Sequence, residues 1–341
     1  MEPIRVVQMG VGAIGREVCR LVLERLSLNL VGAIDTDPDL AGQSLGEILG
    51  VEEPHGITIS SSAEEVLEST DPDVVVHTTM SRLPDVVRQI ELAAMHGANV
   101  VTSTEEMVFP RFKHPGEAGE LEVLALDNNV AILGTGVNPG FVLDTLAVAS
   151  TAVCRRVDRV EAQRIVDAST RRQPLQRKIG AGLSVEEFGS LVEQGKIGHV
   201  GLSESVGLIA YGLGLRWEAI DEKTEPVVAE RALRTDFFDI APGQVAGVRN
   251  TAWATAAGGE CVRLELQMYI GAPDPLDEVK IYGEPNLTLQ IPGGTPGDLA
   301  TTAILVNAIP AIADAPPGLL TMLDIPVLRC RCRDVLPQGR P

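Results

Sequence analysis

Residues 4–9, IRVVQM, form a mostly apolar, β-branched run that stops at Gly10. A run without polar alternation suits a strand covered on both faces, as in a parallel sheet. From Ala13 to Leu26 the apolar residues Ile14, Val18, Leu21, Val22 and Leu26 recur at helical spacing, which predicts a helix with one buried stripe. The strand pattern returns at LNLVGAID (28–35), DVVVHTT (73–79), NVVTST (99–104) and VAILGTG (130–136), with helical stretches between them that include Leu83–His96 and Pro115–Asp127. Strand alternating with helix predicts crossover units, and hence an α/β fold with a Rossmann-type doubly wound parallel sheet.

After Gly140 the rhythm changes. VDRVEAQRIVDAS, EPVVAERAL, GQVAGVRNTAWATA, ECVRLELQMYIGA and DEVKIYGEPNLTLQI read as five strands with much polar alternation, interrupted by helices near Val185–Gln194 and Leu202–Leu213. The expectation is a second, α+β domain with a largely antiparallel sheet. Gly297–Ala313 is helical again and is expected to pack back on the first domain. The expected division is 1–140, 141–296 and a C-terminal segment, 314–341, in which Arg329, Arg331 and Arg333 share one face of a solvated strand.

Composition narrows the classes. A chain of 341 residues supports about two domains, and its abundant aliphatic residues exclude a disordered chain. It opens on a strand pattern rather than a signal peptide, and no apolar run approaches the roughly 20 residues of a membrane span. A cytoplasmic protein without a membrane partner is expected. With 47 acidic against 28 basic residues the net charge is −19, which disfavours a nucleic-acid partner. The 5 cysteines are scattered and read as reduced structural thiols; Cys330-Arg331-Cys332 lacks zinc-ligand spacing, so no metal site is expected. No aromatic residue precedes Phe109, so the first domain must pack with aliphatic side chains.

Gly10-Val11-Gly12-Ala13-Ile14-Gly15 is a GxGxxG turn between a strand and a helix. The first glycine permits the turn, the second lets the backbone approach a pyrophosphate, and the third packs helix on strand. Ala13 and Ile14 open the helix whose N-terminus faces the anion. Asp35 ends the second strand 20 residues after Gly15, where a carboxylate accepts from a ribose hydroxyl. That carboxylate repels a 2′-phosphate and no Arg or Lys follows closely, so NAD is the expected cofactor and NADP is tolerated at best. Asp37, ahead of Pro38, reads as a turn residue.

Other candidates lie at the carboxyl ends of later strands, where open parallel sheets bind ligands. Thr78 and Thr79 are candidates for the nicotinamide end of the cofactor, whereas His77 reads as a satisfied buried imidazole. In Thr102-Ser103-Thr104-Glu105-Glu106-Met107, Thr104 is a cofactor candidate and Glu105 and Glu106 are the candidate catalytic carboxylates. A carboxylate in a low-dielectric site holds a substrate ammonium and moves protons. The same residues also read as a helix start, with Thr104 as N-cap and Glu in the first turn. Both readings hold if one Glu faces a pocket and the other serves the helix; Glu105, nearer the strand edge, is favoured for the pocket. Gly134–Phe141 makes a backbone-exposing turn that offers Asn138 to the cofactor and Phe141 to a substrate, or is a plain interdomain turn.

Arg171, Arg172, Arg177 and Lys178 fall within ten residues of a strongly acidic chain. They suit a substrate carboxylate, or a subunit salt-bridge patch. The glycines of Lys178–Gly182 suit a mobile segment. His199, ahead of a helix, is a further substrate candidate whose default role is structural.

The phrases RVVQMGVGAIGREVCRLVLE, LVGAIDTDPDLAGQSLGEILG, VVVHTT, NVVTSTEEMVFP, ILGTGVNPGFVLDTL and VDASTRRQPLQRKIGAG resemble the 2,4-diaminopentanoate dehydrogenase family. Native amine dehydrogenases are its close relatives, within a larger group carrying a dihydrodipicolinate-reductase-like N-terminal domain. The likeness runs from about residue 4 to 320, and TSTEEM and GTGVNPGF are its most specific parts. It implies NAD(P)-dependent oxidative deamination of an amine to a ketone plus ammonia, reversible as reductive amination, with a homodimer as the usual assembly. It also implies that the catalytic carboxylate is Glu105 or Glu106. The alternatives are a ketone or imine reductase of dihydrodipicolinate-reductase-like or homoserine-dehydrogenase-like type, and a non-catalytic NAD-binding sensor.

Overall fold

The structure, a computed structural model, describes residues 2–51 and 55–331. It divides into two compact units, one of Met1–Gly140 with Pro296–Pro341 and the other of Phe141–Thr295.

The first unit opens with β1 (Ile4–Met9), α1 (Ala13–Leu23), β2 (Leu28–Ile34), α2 (Leu45–Leu49), α3 (Ala63–Thr70), β3 (Val74–His77) and α4 (Leu83–Met95). β4 (Asn99–Thr102), a 3-10 turn (Glu105–Val108), α5 (Pro115–Asp127) and β5 (Ala131–Gly134) follow. The strands are mostly apolar because helices cover the sheet, and β3, β4 and β5 are almost wholly buried. Val7, Val75, Val100 and Ile132 of the sheet pack with Leu83, Val86 and Ile90 of α4 and with Leu121 of α5. This core contains no aromatic ring, as the sequence requires. Cys19 lies within the unit, and burial pushes its thiol up to about 12, so it stays protonated and inert.

The second unit contains α6 (Thr145–Ser150), β6 (Arg156–Asp167), α7 (Gln173–Lys178), α8 (Val185–Glu193), α9 (Leu202–Gly212), β7 (Ala219–Val228), β8 (Leu233–Arg234) and β9 (Asp239–Ile240). It ends with β10 (Val245–Ala256), β11 (Gly259–Tyr269), β12 (Leu276–Glu284) and β13 (Leu287–Pro292). Its 6-stranded sheet runs β13-β12-β6-β11-β10-β7, and only the β6–β11 pair is parallel. The expected fifth strand, 277–291, is in fact the hairpin β12–β13. Pro285 cannot donate to a ladder and Asn286 Oδ1 accepts from Gly283 N at 2.9 Å, so this stretch turns. β7 begins earlier than expected, and Leu233–Arg234 pairs separately with Asp239–Ile240. α9 is buried from Leu202 to Ala210 and lies on β7, β10 and β11.

The chain then returns to the first unit as α10 (Gly297–Ala313) and β14 (Gly318–Leu320), giving the sheet order β14-β5-β4-β3-β1-β2. α10 is apolar nearly all round and packs against α1, β3 and β4. β14 went unread in the sequence because three residues are too short to show a period. Arg329 and Arg331 are not on a strand, since residues 326–331 have no ladder partner; Arg333 lies outside the described residues. Among the described residues no helix is long and apolar enough to cross a membrane.

Candidate functional site

The carboxyl edge of the parallel sheet gathers most of the candidates. After β1, Gly10 has φ +90°, and a Cβ there would lie 2.8 Å from the Thr78 carbonyl oxygen. A Cβ on Gly15 would fall 1.9 Å from the Gly10 carbonyl oxygen, so the third glycine lets α1 close on the turn. Gly12 differs: nothing lies within 4 Å of the place its Cβ would take. It is the N-cap of α1, with no side-chain cap and no acidic residue in the first turn. The turn and the exposed first residues of the helix, Gly12 and Ala13 with half-buried Ile14, therefore leave backbone N–H groups and open space for an anion. These features fit the pyrophosphate of a dinucleotide.

Asp35 lies beside this turn. Its Oδ2 accepts from Val11 N at 2.6 Å and its Oδ1 from Asp37 N at 2.9 Å. Each carboxylate oxygen has a second lone pair for a ribose hydroxyl. Asp37 accepts from Asp39 N at 2.9 Å, the turn role expected of it.

The threonine hydroxyls are committed within the protein. Thr78 Oγ1 donates to the Gly10 carbonyl at 2.9 Å and accepts from Gln8 Nε2 at 2.8 Å. Thr79 Oγ1 lies 2.8 Å from both His77 Nε2 and Gln89 Oε1. Thr104 Oγ1 is buried and donates to the Met80 carbonyl at 2.9 Å. Their protons hold the loops together, so toward a cofactor these three hydroxyls could only accept. Asn138 is the converse, since its buried Oδ1 accepts no hydrogen bond among the described residues, an arrangement that invites a donor.

The two glutamates after β4 have different surroundings. Glu106 is buried, and its Oε2 accepts from Leu83 N and from His114 Nε2, each at 2.9 Å. Leu83 N is one of the first amides of α4, which has no partner within the helix, so Glu106 caps that helix from another strand's end. Glu105 is half-buried, and among the described residues nothing bonds to its carboxylate. Close packing fixes the turn that carries both, because a Cβ on Gly134 would meet Met107 backbone at 2.3 Å.

In the second unit, Arg172 stands at the start of α7, Arg171 just before it is half-buried, and exposed Arg177 and Lys178 occupy its last turn. Gln176, fully buried, donates to the Ser169 and Arg171 carbonyls at 3.1 and 2.8 Å and so folds this segment on itself. The glycines that follow do not make a loose segment. Gly180, with φ +79°, packs where a Cβ would touch the Phe188 ring at 2.7 Å, and Gly182 N donates to the Val245 carbonyl at 2.9 Å. His199, half-buried ahead of α9, donates its backbone N–H to Asn250 Oδ1 at 3.3 Å. Phe141 begins the unit, its carbonyl accepting from Leu146 N at 2.8 Å.

The family model described as 2,4-diaminopentanoate dehydrogenase C-terminal domain matches residues 141–338, and that of the dihydrodipicolinate reductase N-terminus matches residues 4–107. A 2,4-diaminopentanoate dehydrogenase from Acetoanaerobium sticklandii is 31% identical over 96% of this chain and 95% of its own. The chain belongs to the 2,4-diaminopentanoate dehydrogenase family. The solved structure of an amine dehydrogenase from Mycobacterium smegmatis superposes with a TM-score of 0.85 at 31% identity, covering 96% of this chain and 97% of that one. A 4-hydroxy-tetrahydrodipicolinate reductase from Dehalococcoides mccartyi matches only 45% of this chain, at 29% identity. For this member of the 2,4-diaminopentanoate dehydrogenase family, the sequence reading overlooked His114 and Gln89, which engage Glu106 and His77. No local pattern marks either residue. It also passed over the buried pair in the second unit, where Ser205 Oγ donates to Asp144 Oδ2 at 2.6 Å; polar residues inside the apolar run of α9 were the available signal.

Proposed function

We propose that this chain is a nicotinamide-dependent amine dehydrogenase that interconverts an amine with a ketone and ammonia, using Glu105 as its acid/base. The observation that carries the assignment is the contrast between Glu106, tied by two hydrogen bonds, and Glu105, whose carboxylate at the β4 edge bonds to nothing among the described residues. The turn Gly10–Gly15 with Gly12 open, Asp35 and Asn138 would hold the cofactor. A nicotinamide held there would supply the hydride chemistry, as acceptor from the amine-bearing carbon and as donor in reductive amination. Glu105 binds the substrate ammonium, takes its proton and releases it to solvent; the carboxylate so regenerated takes a proton from the water that adds to the iminium carbon and returns it to the nitrogen that leaves as ammonia, the remaining hydroxyl proton departing as the ketone forms. Each step suits a carboxylate, which attracts a cation and exchanges protons.

Asp35 favours NAD, since a 2′-phosphate would meet a carboxylate already fixed by two amides. Substrates bearing a carboxylate are favoured by the cations Arg171, Arg172, Arg177 and Lys178, in a chain of net charge −19. Phe141 and His199, both of the second unit, are the other proposed substrate-binding residues, and a cytoplasmic homodimer is the proposed state. The test is a screen of ketones, with and without a carboxylate, for NADH and NADPH oxidation. Oxidation that requires ammonia is expected; oxidation equally fast without ammonia would make the protein a ketone reductase instead.

A further inference from the structure

Buried between the ends of β3 and β4 is a polar chain that the proposed reaction does not use. His77, Thr102 and Thr104 are 1%, 0% and 0% exposed, respectively. Thr104 Oγ1 lies 2.9 Å from the Met80 carbonyl, a pure acceptor, and must spend its proton there. The 2.9 Å contact between Thr102 Oγ1 and Thr104 Oγ1 then takes the Thr102 proton. Thr102 Oγ1 therefore accepts at its remaining contacts, from Thr104 N at 3.1 Å and from His77 Nδ1 at 2.8 Å. The network assigns the His77 proton to Nδ1. On the other side of the ring Nε2 is then an acceptor, so Gln89, whose Oε1 stands 2.8 Å from both Nε2 and Thr79 Oγ1, must turn its amide to present the NH2 there; Thr79 Oγ1 is also 2.8 Å from Nε2.

The chain laces two loops. One, 78–82, follows β3; the other, 103–106, follows β4 and carries Glu105. Backbone bonds run alongside it, from Ser103 N to the His77 carbonyl at 3.0 Å and from Glu106 N to the Ser81 carbonyl at 3.3 Å. Aliphatic packing alone would not choose a rotation for the β4 loop, whereas a directed chain of hydrogen bonds does. A threonine hydroxyl can turn, so its direction must be imposed by a donor that cannot. The imidazole, fixed at both nitrogens, is that donor.

We propose that His77 is a positioning residue for Glu105, acting through its Nδ1–H on Thr102 and Thr104. The role of Glu105 rests on the amine dehydrogenase reading above; the directed chain itself does not. The two ring nitrogens give a discriminating test. The Asn side-chain NH2 can replace Nδ1–H, while Gln reaches toward the Nε2 side and leaves Thr102 without its donor.

The experiment compares wild type, His77→Asn and His77→Gln by amide hydrogen exchange of the apoprotein across residues 103–109, and by kcat and KM in reductive amination. His77→Gln is expected to speed exchange in 103–109 at least tenfold and to lower kcat at least tenfold with little change in ketone KM; misplaced catalytic groups cost up to about 100-fold. His77→Asn is expected to keep both within about threefold of wild type, even where each substitution lowers the melting temperature equally. Equal exchange and equal kcat losses in the two variants would overturn the proposal and leave His77 a packing residue. If the exchange contrast appears but the wild type shows no ammonia-dependent turnover, the donor chain stands and the functional reading falls. If turnover is present and the exchange contrast is not, the reverse holds.

Discussion

Replacing Glu105 and Glu106 one at a time separates chemistry from architecture. The Glu106 carboxylate is 6% exposed and accepts from Leu83 N and His114 Nε2. Glu106→Ala leaves both donors without acceptors, and a buried unsatisfied donor costs about 1–3 kcal/mol. Losing a helix N-terminal acceptor costs about 0.5–2 kcal/mol on its own. The two estimates overlap at Leu83, so a total of roughly 2–4 kcal/mol is expected, which lowers the melting temperature by about 3–6 °C for a chain of 341 residues. Glu106→Gln keeps an acceptor oxygen for Leu83 and loses only the charge, so about 1 kcal/mol is expected. Glu105→Gln removes no bond and should leave stability within about 0.5 kcal/mol.

Turnover should rank the variants in the opposite order. Glu105→Gln is expected to lower kcat about 100- to 10,000-fold, the range for one positioned acid/base group. Glu106→Gln, still folded at 25 °C, should keep kcat within about tenfold of wild type, because its carboxylate is already engaged. Differential scanning calorimetry and initial rates at saturating ketone, ammonia and NADH measure the two axes. A Glu106→Gln enzyme of near-normal melting temperature with kcat down a hundredfold, beside an active Glu105→Gln, would refute the assignment and exchange the two roles.

Three further outcomes are expected. Gly12→Ala meets no atom within 4 Å, so its melting temperature should match wild type while its NADH dissociation constant, read by fluorescence titration, rises at least about tenfold; Gly15→Ala, whose Cβ would fall 1.9 Å from the Gly10 oxygen, should also unfold at lower temperature. His77 meets only the uncharged Thr79, Gln89 and Thr102, and burial lowers its pKa from 6.5 to about 4, so below pH 6.5 the unfolded chain takes up a proton that the folded one does not. Stability should therefore fall as pH drops from about 6.5 towards 4, by up to about 3 kcal/mol, and urea titrations of His77→Asn should lack this part of the slope. In the second unit Arg164 and Asp277, 3% and 2% exposed, pair at 3.1 Å, so Asp277→Asn should cost about 3–5 kcal/mol in urea unfolding, and Arg164→Met with Asp277→Leu together less than either alone.

How much of this was legible in the sequence depends on how far apart the interacting residues lie. Period and turn signals act over a few residues, and they located α5 and α10 to the residue and β1 likewise. They failed where the informative unit was shorter than a period, as at β14, or where a turn hid inside an apolar alternation, as at Pro285 between β12 and β13. The glycines of the first turn were readable because a positive φ and a close contact with the backbone are local demands. The threonine hydroxyls were not, because their partners lie across the sheet: Thr102 meets His77 from 25 positions away, and Thr78 meets Gly10 from 68.

The glutamate pair shows the same limit at its sharpest. In a 3-10 turn successive side chains diverge by about 120°, so adjacent carboxylates cannot share one environment. One must point into the protein and needs donors there; the other points elsewhere. The sequence therefore contains a pair and a reason for the pair to split, but the direction of the split is set by Leu83 N, 23 residues away, and by His114. Burying a carboxylate without those donors would cost more than the turn could sustain. Hence the position of the α4 N-terminus decides which glutamate is held, and leaves the Glu105 carboxylate unbonded among the described residues.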